Sequence, residues 1–219
     1  MKGGQWARAD ATRQALLDAA QEVFADRGYA DAGIAEIVER SGSSVGSLYH
    51  HYGGKAGLYL ALWEDHTGEQ ERSATEAVAR ARKARDAEAG GADTGSAEAG
   101  GTEAGERDPI ALFIAGARAY LEVCWRQRDV ARLFHETEGP SGFALMRRSR
   151  ARQWVGQNTR LLRGPAGERS AQVLSLVLTT VIGEAGREIA LAEDEAEATE
   201  IIDEICRILV RLAGDGRES

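Results

Sequence analysis

Three features of the 219-residue sequence predict an all-α fold. Only three prolines occur, runs of β-branched residues are rare, and apolar residues recur at helical spacing almost throughout. We expect about nine helices and no strands, arranged as a three-helix N-terminal domain over 1–54 and a helical domain over 55–219.

Each element has a local reason. The first helix covers about 8–27, with Leu16, Ala20, Val23 and Phe24 on one face, and Gly28 suits its C-terminus. A short helix from Ile34 to Arg40 buries Ile34, Ile37 and Val38. "SGS" (Ser41–Ser43) is a tight turn, and Ser44 caps another short helix running to about His51. Gly53 and Gly54 break it. A long helix then starts near Lys55 and carries Leu58, Leu62, Trp63, His66, Ala74, Val78 and Ala81.

The apolar pattern stops at Asp86. Residues 86–107 are rich in Gly, Ala and Glu and hold no large apolar side chain. Such a stretch cannot bury enough surface to offset its ordering entropy, which predicts a disordered acidic linker. Order resumes with Asp108 as an N-cap and Pro109 at the first helical position. Ile110, Phe113, Ala117, Leu121, Cys124 and Trp125 make a continuous stripe. A short helix follows over about 130–136, then one over 143–163. Two long helices close the chain, over about 168–191 and 195–213.

Composition narrows the function. The formal charge is −8, so contact with DNA would have to be made by a local patch rather than by overall attraction. No apolar run reaches the ~18–20 residues that span a bilayer, and no membrane association is expected. Cys124 and Cys206 are isolated in apolar patterns, as in a reducing cytosol, and the expected location is cytoplasmic. His50 and His51 are adjacent on a helix and point about 100° apart, so they cannot chelate one metal together. There is no GxSxG, Walker, GxGxxG or HExxH pattern. We expect no catalytic residues, no metal, no cofactor and no enzyme.

Two short helices joined by a tight turn form a helix-turn-helix, whose second helix is placed to enter a DNA major groove. The stretch "ATRQALLDAAQEVFADRGYADAGIAEIVERSGSSVGSLYHHYGGKAGLY" resembles the DNA-binding domain of the TetR family of transcriptional regulators. The features that agree are Ala19-Ala20, Phe24, Gly28-Tyr29, Ile37, Gly42, Ser44, Gly46, Leu48-Tyr49, Tyr52 and Lys55. There are departures. Gly33 stands where the family has a Thr or Ser that caps the second helix and touches a phosphate. Ser43 stands where the family has a small apolar residue and Val38 where it has an alanine, and the 86–107 segment is longer than the family's connection.

Within this motif Leu48 and Tyr52 face inward onto Phe24 and Ile37. Ser44, Val45, Ser47, Tyr49 and His50 face outward, and Gly46 removes bulk where the helix meets the groove or its neighbour. Tyr49 and His50 can donate to phosphates without permanent charge. Lys55, at the start of the next helix, shares a phosphate with free N–H groups. Val45 and Ser47 are positioned to read base edges. The expected DNA-binding set is therefore Gly33, Ser44, Val45, Gly46, Ser47, Tyr49, His50 and Lys55.

The aromatic and thiol side chains of the second domain read as core by periodicity. The resemblance implies that helices there wrap a small-molecule effector pocket, lined from among Phe113, Tyr120, Cys124, Trp125, Phe134, His135, Phe143 and Trp154. His66 reads as structural. The arginine run from Arg147 to Arg163 is either a solvated face paired with the acidic stretch Glu193–Glu204 or a seat for an anionic effector. The last two helices carry Val173, Leu174, Val177, Leu178, Val181, Ile182, Ile189, Ile201, Ile202, Ile205, Leu209 and Leu212, more apolar surface than one helix pair covers alone. The resemblance implies a homodimer through a four-helix interface there, with Val181 and Ile205 at the seam. The function expected is a repressor that binds a palindromic operator in double-stranded DNA and is released by a small molecule. The alternative is a helical ligand-binding or protein-interaction module with a non-functional DNA head, which would leave Ser44, Gly46, Tyr49 and Lys55 without a reason for their arrangement.

Overall fold

The computed structural model describes residues 3–91, 109–136, 138–163 and 167–214. These residues form nine helices and no strand: α1 (Gly3–Asp31), α2 (Ile34–Ser41), α3 (Val45–Tyr52), α4 (Lys55–Gly91), α5 (Pro109–Arg126), α6 (Arg128–Glu136), α7 (Phe143–Leu161), α8 (Glu168–Leu191) and α9 (Glu195–Gly214). The all-α class expected from periodicity is the one observed.

Two boundaries move. Helix α1 runs on to Asp31 across a kink at Gly28, where φ 72° and ψ 171° lie in a region open essentially to glycine. Helix α4 continues to Gly91, so residues 86–91 are helical rather than linker. Ala87, Glu88 and Ala89 there are strong helix formers. The rest of the expected linker, 92–107, and the expected cap Asp108 lie outside the described residues.

The chain divides into two compact units. One comprises Met1–Glu69 and Gln127–Arg148, and the other Gln70–Arg126 and Ser149–Ser219. By packing, therefore, α6 and the start of α7 belong with α1–α3, whereas the functional division expected from sequence falls at Lys55.

In the first unit, Leu16, Ala20, Val23, Phe24, Ile37, Leu48 and Leu58 are fully buried. Tyr59 is the centre of this core. Its ring lies 5.6 Å from Phe24, 5.0 Å from Tyr29, 5.2 Å from Phe134 and 5.0 Å from Phe143, mostly edge to face. Edge-to-face pairs add about 0.5–1.5 kcal/mol each beyond area burial. At the surface Arg40 joins Asp26 at 3.1 Å and Glu36 at 2.9 Å, while Arg27 reaches Glu36 at 2.7 Å, tying α1 to α2.

In the second unit α5 packs against both α8 and α9. Leu121, Leu178, Ile189 and Leu209 are fully buried in that core. Arg118 joins Asp203 at 2.6 Å, linking α5 to α9. Glu71 on α4 accepts from Gln157 at 3.0 Å and Arg150 at 2.6 Å on α7. Those two partners, Gln157 first, hold its carboxyl below the usual glutamate range. Asp194 caps α9 by accepting the Glu197 N–H at 2.9 Å.

His66 is buried in the first unit, with Nδ1 2.6 Å from the Gln127 side-chain oxygen. Burial pushes its pKa below the ordinary histidine value. In the unfolded chain the ring protonates near pH ~6.5. The folded state resists that proton, so stability is complete above that pH and is lost as pH falls through the lowered folded value. Thermal melts between pH 7.5 and 5 should show this loss, and His66→Gln should flatten the slope. An unchanged slope in the variant would assign the acid sensitivity elsewhere.

Candidate nucleic-acid interface

The turn between α2 and α3 is closed by the backbone. Gly42 adopts φ 62°, ψ 20°, and its N–H reaches the Glu39 carbonyl at 3.2 Å while the Ser43 N–H reaches that of Val38 at 3.2 Å. This pair of bonds is a Schellman ending, which needs a left-handed residue where glycine stands. Ser44 then caps α3, its hydroxyl accepting the Ser47 N–H at 3.1 Å and lying 3.0 Å from the Ser47 hydroxyl. Ser44 therefore has a cap role, and Ser47 is drawn into the same small network.

Leu48 is fully buried in the first-unit core and Tyr52 packs beside it. The Tyr52 hydroxyl donates to the Arg13 carbonyl at 2.8 Å, and the Arg13 guanidinium lies 5.9 Å over its ring. With that face anchored, Val45 at 49% and Tyr49 at 52% exposure stand on the open side, with Gly46 and His50 also exposed. An added Cβ at Gly54 would lie 3.4 Å from the Tyr49 ring, so the ring rests against the start of α4. At Gly57 a Cβ would fall 1.7 Å from the Tyr52 carbonyl oxygen, so only glycine fits where α4 passes the end of α3. Gly33 precedes α2 in extended conformation without a side-chain cap.

Lys55 departs from expectation. Its ammonium is turned to the end of α1, donating to the carbonyls of Ala30 at 2.9 Å and Ala32 at 3.0 Å, and sits 4.8 Å over the Tyr29 ring. Carbonyls left over at a helix end need donors, and a lysine supplies them well. In this structure Lys55 locks the head rather than reaching outward for a phosphate.

The expected effector-lining residues fall into both units. Phe134 and Phe143 pack around Tyr59 in the first, and the ring of Trp63 meets Phe143 at 5.5 Å. His135 is half-buried on α6. In the second unit Phe113 and Cys124 are buried, with Tyr120 and Trp125 packed on that core and Trp154 5.4 Å from Tyr120. Gln70 donates to the Cys124 sulfur at 3.4 Å. Burial pushes the Cys124 thiol up to about 12 and the Tyr120 hydroxyl well above its usual value, so both stay neutral. Sequence reasoning missed Tyr59, Gln70 and Gly57. Tyr59 follows Leu58 in the apolar pattern but carries no other signal, and Gln70 and Gly57 carry none.

Two arginines of the run pair outside the expected acidic stretch. Arg150 meets Glu71 on α4 and Arg163 meets Glu168 on α8, while Asp203 of the acidic stretch is taken by Arg118 of α5.

A short capped helix held against two others by its inner face, with its outer face left open, defines a helix-turn-helix protein on an all-helical body. Residues 16–62 match the family described as bacterial regulatory proteins, tetR family. The N-terminal region of the chain therefore carries a tetR-family head. Its head is 51% identical over 57 residues to the HTH-type transcriptional activator FasR of Mycolicibacterium smegmatis, covering 26% of each chain. It is 34% identical over 65 residues to the HTH-type transcriptional repressor AcnR of Corynebacterium efficiens, covering 30% of this chain and 35% of that one. The match thus spans about a quarter to a third of these relatives' lengths. Likeness of fold is wider. A TetR-like transcriptional regulator from Rhodococcus sp. RHA1 superposes with TM-score 0.62 at 21% identity, over 95% of this chain and 96% of that one. NalD of Pseudomonas aeruginosa, the secondary repressor of the MexAB-OprM efflux pump, gives 0.62 at 15% identity over 92% and 96%.

Removing the Lys55 ammonium should orphan two carbonyls and uncover Tyr29. Lys55→Ala is expected to lower stability by about 1–3 kcal/mol, read by thermal or urea denaturation. A variant that melts like the wild type yet binds DNA more weakly would return Lys55 to the interface.

Proposed function

We propose that the chain is a ligand-responsive transcriptional regulator that binds a palindromic operator as a homodimer and is released by a small-molecule effector. The observation that carries this reading is α3: its inner face is fixed by Leu48 and Tyr52, and Val45, Gly46, Tyr49 and His50 are presented together on the outer one. Residues 1–54 are the reading head in this proposal, and 55–219 the effector and dimerisation domain. Tyr49 and His50 donate to phosphates, which fix register, while Val45 and Ser47 face base edges. The backbone N–H groups at Gly33 and Ser44 lie at helix starts, where phosphates are favoured. Repression is the simplest sense, since an occupied operator blocks polymerase without further contacts; among the relatives both an activator and a repressor occur. Action on DNA places the protein in the cytoplasm. No described helix is long and apolar enough to cross a membrane.

The effector site is proposed in the second domain, where Gln70, Tyr120 and Cys124 set polar groups among apolar ones. A few convergent polar groups in an apolar setting orient a ligand. An effector lowers operator affinity only if it prefers a state with differently spaced heads, because successive major grooves lie about 34–36 Å apart.

Dimerisation is supported by the outer surfaces of α8 and α9. Leu178, Ile182, Ile189, Ile202 and Leu209 are buried in the protomer's own core, and Val181 and Ile205 are half-buried against it. The seam is therefore carried by Val173 and Val177 on α8 and Ile208 and Leu212 on α9, all exposed. A self-complementary apolar patch of this kind suits a two-fold axis.

Two measurements test the proposal. Tyr49→Ala should leave helicity and mass unchanged and weaken binding to the protein's own upstream DNA by about tenfold or more, as expected for a lost hydrogen bond to a charged group. The loss should be similar for every sequence, because phosphates carry no base information; a strongly sequence-dependent loss would make Tyr49 a base reader. Separately, Val177→Asp with Ile208→Asp should convert the dimer to folded monomers in light scattering and abolish tight binding with the head untouched. A wild-type monomer that binds its operator tightly would overturn the model.

A further inference from the structure

The eight residues of α3, VGSLYHHY, include no arginine, lysine, asparagine, glutamine or carboxylate. Those are the side chains that pair with the guanine, adenine and cytosine edges in a major groove. The contacts by which these three bases are usually told apart are therefore missing from the helix. Thymine differs from the others in carrying a C5-methyl group, which an apolar side chain can read.

The N-terminal turn of a recognition helix is the part that meets base edges. In α3 the Ser44 hydroxyl accepts the Ser47 N–H at 3.1 Å and lies 3.0 Å from the Ser47 hydroxyl, so both serines are engaged in the cap. Ser47 is half-buried and keeps only part of its bonding capacity for a base. Gly46 has no side chain, and a Cβ added there would meet only the Ser44 hydroxyl, at 3.8 Å. Val45 is what that turn presents, at 49% exposure. A lone exposed valine is ordinary on a protein surface. This one opens a helix whose start is fixed by the Ser44 cap and, through Leu48, by the core. β-branching leaves a helical valine one strongly preferred rotamer, so its γ-methyls keep one direction before DNA arrives. Tyr49, one turn on, rests its ring against the start of α4 beside Gly54 and leaves Val45 uncovered.

We propose that Val45 reads a thymine in each half-site through the C5-methyl group, and that this apolar contact is the main base discrimination made by α3. The proposal rests on the operator-binding reading of α3 and adds the base that the helix selects. The contact removes the valine and the methyl from water together, worth about fourfold in affinity for each methyl covered. Cytosine at that position offers no methyl, and its N4 amino group would lose water against the valine without gaining an acceptor. Adenine and guanine likewise set polar edges against a side chain that cannot bond them. Thymine is thus selected by its own contact and by the cost of each alternative. Two subunits related by a two-fold axis place two such thymines symmetrically, about one DNA turn apart.

The test removes the methyl and nothing else. Duplexes are selected from a randomised pool with the whole protein, and each thymine of the selected site is then replaced by deoxyuridine, pairwise in the two half-sites. Deoxyuridine keeps the base pair and the O4 acceptor and lacks only the methyl. Affinity is read by fluorescence anisotropy at one fixed salt concentration. One symmetric thymine pair should be sensitive, its replacement weakening wild-type binding by about fifteenfold, fourfold in each half-site. Val45→Ala replaces an exposed residue with a better helix former, so helicity should be held. The variant should bind the thymine duplex more weakly and no longer distinguish uracil from thymine at that pair. Tight wild-type binding that is indifferent to uracil at every thymine overturns the proposal and leaves the operator-binding reading standing. Uracil sensitivity that persists in Val45→Ala gives the methyl to another side chain and overturns it equally. A pool from which no duplex is selected removes the operator-binding reading, and this proposal with it.

Discussion

A helix of eight residues gains few internal hydrogen bonds against the backbone entropy of forming it, and alone in water it would not persist. Helix α3 persists because its neighbours supply what its length cannot. Ser44 satisfies its first turn, and Gly53 ends it in a left-handed conformation. Leu48 gives it a fully buried contact, and the Tyr52 hydroxyl fastens its far end to the backbone of α1. Every outward-facing group on α3 depends on those few bonds for its direction. A short helix fixed at both ends is also a rigid one, so its exposed side chains keep one spacing relative to each other.

The support reaches well past the helix-turn-helix itself. Tyr59, on α4, fills the centre of the first unit and draws rings from α1, α6 and α7 around it. Lys55 and Gly57 do the complementary work at the start of α4. The first binds it to the end of α1, and the second lets it pass against the end of α3. The helix that leaves the head is thus held by the head on two sides. The head in this sense packs together parts of six helices, even though the proposed DNA-facing groups sit on one of its smallest parts.

The head was legible in the sequence because its signals are local. Gly42, Ser44 and Gly53 are punctuation whose meaning is set within four residues, and Leu48 follows from the helical period. The role of Lys55 was not legible, since its carbonyl partners lie 25 and 23 residues earlier and come near only after α1 and α4 pack. Periodicity likewise marks Phe134 and Phe113 as apolar stripe residues without saying that they belong to different cores. On α8 and α9 the apolar positions exceed one face, and only the packing separates Leu178 and Leu209, turned inward, from Val177 and Ile208, turned out. The extension of α4 past Asp86 was missed for the opposite reason. No large apolar residue falls there to announce a helix in the sequence.

The surface of α3 carries no lysine or arginine, and the chain around it is acidic, at −8. Long-range attraction and counterion release, which give most DNA-binding proteins their grip on arbitrary sequence, are therefore in short supply. In the proposed operator-binding role, encounters with a wrong site would end quickly, and residence would depend on short-range fit once the groove is entered. Such a regulator would trade speed of arrival for low background occupancy.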